Sequence, residues 1–143
     1  MKVLIENEAG SDQKNIYNEK TLEFKKTVKV SRKYPFPYGF ILETTSGDWD
    51  NLDCFVITKR KLKRGDIVEC EPIGMMEQIE NGQEDNNILA RLVDEKASID
   101  EKNKKALIEF ISHVFDHLPE NVVKVGRFTG KPEAEKYIIK CLD

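Results

Sequence analysis

Long apolar runs are missing from this chain. The N-terminal stretch MKVLIENEAG carries only three apolar residues in a row before Glu6, too few for the core of a secretion signal, and nothing later approaches a membrane span. Cysteine is scarce: Cys54, Cys70 and Cys141 are an odd number without C-x-x-C spacing, which predicts free, mostly buried thiols in a reducing cytoplasm. A dominant charge is lacking too, because 23 basic against 26 acidic residues leave a net charge of −3. Bulk electrostatics therefore predict neither a nucleic-acid nor a membrane partner. No internal repeat, low-complexity tract or linker-like composition divides the 143 residues, so a single domain over 1–143 is expected. What is present, 39% hydrophobic and 34% charged residues, describes a globular chain with a core.

The hydrophobic pattern changes period along the chain. TLEFKKTVKV alternates, with Leu22, Phe24, Val28 and Val30 on one face, and DCFVIT, DIVECEPI and NILARLV are short β-rich runs. QIENGQEDNN reads as a loop. Short strands closing on themselves predict a small β-barrel. Further on, Leu107, Phe110, Ile111, Val114, Phe115 and Leu118 recur at helical spacing behind a capping box of Ser98 and Glu101. A second helix is expected with Pro132 in its first turn, burying Ala134, Tyr137, Ile138 and Cys141. The fold class is thus mainly β with α, a closed barrel flanked by two helices.

Two features carry chemistry. TTSGDWDNLDCFV places Asp48, Asp50 and Asp53 within six residues, and like charges this close repel unless a cation or a proton holds them together. Hard oxygen donors at this density suit Mg²⁺. An EF-hand is excluded, because Asp53 stands where that loop needs Gly and Lys59 where it needs Glu. The second feature is Lys26, which shares the parity of Leu22, Phe24, Val28 and Val30. Either its ammonium points inward and requires an anionic partner, or a β-bulge turns it outward.

Three segments in order, YPFPYGFI, the D-x-D-x-x-D of the aspartate stretch, and LKRGDIVECEPIGMM, resemble the soluble family I inorganic pyrophosphatases. VLIEN, GSDQK and VVKV extend the likeness toward both ends. The resemblance implies an OB-like five-stranded barrel whose mouth holds Mg²⁺, or Mn²⁺ in its place, and pyrophosphate. It also implies a homo-oligomer, trimer or hexamer. Asp48, Asp53, Asp85 and Glu80 would be metal ligands, and Asp50 the general base for the attacking water. Lys14, Lys26 and Tyr38 would contact phosphate, with Lys26 standing where the family usually has Arg, and Glu6 would lie near the metals.

The departures fall on the same sites. Ile16 stands where a carboxylate is expected, Asn81 where a glutamate is, and Asn87 where a phosphate-binding lysine is. Glu80 lengthens an aspartate, while Val114 and Phe115 replace a tyrosine and a lysine. GRFTGKP is one residue short of a P-loop and is read as a strand-to-helix turn. His113 and His117 lack a third ligand. Two functions follow: Mg²⁺-dependent hydrolysis of pyrophosphate, with activity reduced by the changed contacts, or a non-catalytic relative that binds phosphate ligands or assembles with partners.

Overall fold

The computed structural model describes residues Met1–Asp143. Five strands close on themselves: β1 (Lys2–Asn7), β4 (Tyr38–Ile41), β5 (Asp53–Val56), β8 (Asn87–Leu92) and β6 (Ile67–Glu80) pair in that order, and β6 pairs back with β1. All five pairings are antiparallel except β5 with β8. The OB-like barrel with two helices, α1 (Glu101–His113) and α2 (Lys131–Cys141), is thus present. Closure removes the open edges that would otherwise invite aggregation. At the β1–β4 seam only glycine fits at position 39, since a Cβ there would lie 1.8 Å from the Leu4 carbonyl oxygen. The long strand β6 serves four partners, because register shifts between Pro72 and Gly74 and between Met76 and Gln78 re-aim it toward β8, β9 (Val123–Gly130) and the two-residue β7 (Gln83–Glu84).

Alternation along the strands sorts side chains into two cores. Val3, Ile41, Cys54, Cys70 and Ile88, one from each ring strand, join Ala134 and Cys141 of α2. Phe55 and Leu89, of opposite parity to Cys54 and Ile88, and Met76, which lies past the register shift of β6, join Leu107, Phe110 and Ile111 of α1. Burying one such Phe or Leu side chain contributes about 1.5–3 kcal/mol, so both helices are fixed by their apolar stripes. All three cysteines are free and buried. No helix is long and apolar enough to cross a membrane.

Several local expectations need correction. TLEFKKTVKV does not enter the ring: β2 (Gln13–Asn18) and β3 (Glu23–Lys29) form their own two-stranded sheet, and every residue of β3 is exposed. Phe24 instead packs against Tyr17, with ring centroids 5.6 Å apart, and under the Arg64 guanidinium. The cap of α1 is Asp100, whose Oδ1 accepts the Asn103 backbone N–H at 2.7 Å, whereas Ser98 contributes only its carbonyl, to the Asn103 amide. That helix ends at His113 with Val114 as its cap, so Phe115 and Leu118 lie beyond it. QIENGQEDNN is a hairpin rather than a loop: Asn81 (φ 51°) and Gly82 (φ 82°) join β6 to β7, and a left-handed pair of this kind is what an Asn-Gly hairpin turn requires. GRFTGKP is the turn from β9 into α2, as expected.

Candidate active site

Asp53 and Phe55 share one parity on β5, so the Asp53 carboxylate faces the side of the ring that carries α1. There a cavity of about 430 Å³ opens. The ring supplies Glu6 from β1, Tyr38 from β4, Gln78 and Glu80 from β6, and Asn87 from β8. Asp85 completes this floor from the link between β7 and β8. Its backbone N–H donates to the Gln78 carbonyl at 2.9 Å, and the Gln78 side chain accepts from Asn87 Nδ2 at 2.7 Å while facing Asp85 Oδ2 at 3.4 Å.

The aspartate loop forms the rim. Ser46 N–H donates to the Asp50 carbonyl at 2.8 Å, Trp49 N–H to the Ser46 carbonyl at 3.1 Å, and Asp50 N–H to Asp48 Oδ1 at 3.0 Å. Such self-bonding is the usual reason for Asp in tight turns. Trp49 takes a left-handed φ of 71° and is 82% exposed; nothing in the structure explains a tryptophan there.

Of the residues singled out in the sequence, Glu6, Lys14, Tyr38, Asp48, Asp50, Asp53, Glu80 and Asp85 all line this one cavity, and Lys26 does not. The register slips between Ile16, opposite Lys26, and Tyr17, opposite Phe24. Lys25 is thereby the extra residue of a bulge, and it is Lys25 that lines the cavity. The outward reading of Lys26 is therefore the correct one. Glu19, Lys25 and Gln78 were not foreseen. The charges in the turn NEKT carry no pattern that would have revealed Glu19, and a bulge leaves no mark in a single strand's alternation. Among the substituted positions, Ile16, Asn87, Val114 and Phe115 line the cavity while Asn81 sits in the β6–β7 turn. Lys14 Nζ lies 4.9 Å from the centroid of the Phe115 ring, close enough for cation–π attraction.

Seven carboxylates and two lysines meet in this cavity, and the imbalance pushes the buried acids upward. Desolvation holds Asp53 well above the usual carboxylate range, with Asp85, Glu19 and Glu6 adding repulsion. Glu6 is raised to about 8 by burial and then by Glu19, despite the opposing charge of Lys14. Burial and Asp50 raise Glu19 to about 7, and burial followed by Glu80 raises Asp85 to about 6. Carboxylates in this state either keep protons or take a cation. No three acidic, histidine or cysteine side chains converge into a ready-made cage. The donors are nonetheless all hard oxygens, and Mg²⁺ is commonly held through one or two carboxylates while it keeps several waters, so the residues fit that ion.

The family model for inorganic pyrophosphatase matches residues 3–143. The chain belongs to the inorganic pyrophosphatase family. An inorganic pyrophosphatase of Thermoplasma volcanium is 33% identical over 97% of this chain and 89% of its own length. That of Nanoarchaeum equitans is 34% identical over 94% and 90%. Among solved structures, an inorganic pyrophosphatase from Neisseria gonorrhoeae superposes with a TM-score of 0.90 at 26% identity, covering 99% of this chain and 88% of that one. The two sequence relatives thus align over most of this chain, and the Neisseria gonorrhoeae structure shares its fold.

Proposed function

We propose that this protein hydrolyses inorganic pyrophosphate to two phosphates with Mg²⁺, Mn²⁺ serving in its place. The observation that carries the reading is the gathering of Asp48, Asp50, Asp53 and Asp85 in one cavity of a chain that belongs to this family. When bound, Mg²⁺ supplies charge neutralisation for the diphosphate and a lowered pKa for the attacking water. Asp48, Asp53, Asp85 and Glu80 would hold the ion, with the buried Glu6 behind them, which burial keeps protonated up to about pH 8 until a cation displaces the proton. Asp50, on the exposed rim, takes the proton of the water at a carboxylate oxygen. Lys14, Lys25 and the Tyr38 hydroxyl bind phosphate oxygens. Burial raises the Tyr38 pKa well above its ordinary value, which keeps the hydroxyl a donor.

The remaining wall is poor in cations. Ile16, Val114 and Phe115 offer no donor, and Asn87 spends a donor on Gln78. A hydrogen bond to a charged group contributes about 1.5–3 kcal/mol, so turnover slower than in relatives with more cations is expected. The free, buried cysteines are in keeping with a cytoplasmic protein. The likeness to this family is the ground for expecting a homo-oligomer, a trimer or hexamer, which light scattering would distinguish from the 16.5 kDa monomer. The direct test is phosphate release from pyrophosphate with and without Mg²⁺. Release that requires the metal is expected; binding of metal and pyrophosphate without any release would overturn the hydrolase reading.

A further inference from the structure

The aspartate loop stands away from the body of the fold: Asp48, Trp49 and Asp50 are all exposed. Its two ends are joined from a distant segment. Lys20, in the turn between β2 and β3, donates from Nζ to the Thr44 carbonyl at 2.9 Å and to Thr45 Oγ1 at 2.9 Å, both on the entering limb, and to Asn51 Oδ1 at 2.7 Å on the leaving limb. Its neighbour Glu19 accepts the Asn51 backbone N–H at 3.0 Å. All three donors of the ammonium are therefore used. The limbs continue into the fold, since Asn51 Nδ2 donates to the Ile41 carbonyl and Thr45 Oγ1 to Asp143 Oδ1. The turn is itself held in shape: Asn18 Oδ1 accepts the backbone N–H of Lys20 and of Thr21, each at 3.0 Å, and Leu22 takes a left-handed φ of 66°.

We propose that Lys20 is a positioning residue of the aspartate loop, clipping Thr44 and Thr45 to Asn51 across its base so that Asp48 and Asp50 are pre-arranged for a divalent cation. The clip rests on the pyrophosphatase reading only for what the loop receives. Its physical effect is to remove loop conformations before binding, so that less ordering is left for the ligand to impose. Methionine matches the length of lysine without its donors. Arginine keeps the charge, but its planar fork is not suited to three converging oxygens.

Trp49, the only tryptophan in the chain, lies inside the loop and serves as the fluorescence reporter. Lys20→Met removes all three hydrogen bonds of the clip; with Mg²⁺ alone as the probe it is expected to weaken binding about tenfold, equivalent to one charge-assisted hydrogen bond. The Mg²⁺ concentration for half-maximal phosphate release rises by the same factor, while kcat at saturating Mg²⁺ falls by less than about threefold. Lys20→Arg recovers part of the affinity. Lys104→Met, which removes a surface ammonium 3.4 Å from Glu101, leaves it unchanged. Wild-type Mg²⁺ affinity in folded Lys20→Met, or a loss of kcat without a loss of affinity, overturns the proposal. If Lys20→Met does not fold, Thr45→Val, which deletes one acceptor, carries the same test: about twofold to threefold weaker binding supports the clip, and unchanged binding overturns it. A parent protein that binds Mg²⁺ yet releases no phosphate would sink the hydrolase reading while the affinity measurements still decide the clip.

Discussion

Asp50 and Asp53 are three residues apart, yet the fold treats them as different chemical objects. Asp53 belongs to a ring strand, where pairing opposite Phe40 on one side and Asn87 on the other fixes its direction. Burial among other acids holds its carboxyl well above the usual range. Asp50 belongs to the exposed rim, and its position depends on a few hydrogen bonds within the loop and on the clip at the base. Strand-borne carboxylates receive their geometry from the ladder at the expense of desolvation. Loop-borne carboxylates stay solvated and need separate tethers. A site that must both hold a cation and move a proton gains from having both kinds.

The largest expected effect comes from exchanging carboxylate for amide at each position. Asp50→Asn should lower kcat by about 10²–10⁴, the usual contribution of a general base, while Mg²⁺ affinity changes little. Asp53→Asn should weaken Mg²⁺ binding first, since it removes a ligand charge. Metal titration and phosphate release on both variants check this, and equal losses of affinity would mean that loop and strand act as one undivided ion cage.

A smaller effect separates the two regions by pH. In the unfolded chain Glu6 loses its proton near 4.5, whereas in the fold it keeps the proton up to about 8. Across that window the folded state binds more protons, so metal-free stability should fall as pH rises from about 4.5 to about 8. Glu19, raised to about 7, adds to the same slope. Saturating Mg²⁺ opposes it, because binding the folded state at 100 times the dissociation constant adds about 2.7 kcal/mol. The gap between melting curves taken in Mg²⁺ and in chelator should therefore widen with pH. A melting temperature in chelator that stays level or rises over this range would remove Glu6 and Glu19 as its cause.

The sequence by itself determined most of what is local or short in period. Short β-rich runs marked β5, the start of β6 and β8, the helical stripe marked Leu107, Phe110 and Ile111, and the motif spacing identified eight of the cavity's residues. These signals survive in one dimension because each reflects a period of the backbone or a donor set within a few residues. The tertiary structure alone decided the rest. Lys25 replaced Lys26 because a bulge is set by how two strands pair, and β3 lies outside the ring because its one partner is β2. Glu19 and Lys20 reached Asn51, 32 and 31 residues away along the chain, through contacts that no local pattern records. Pairing register and long-range closure are properties of two segments at once, so a reading that follows one segment at a time cannot contain them.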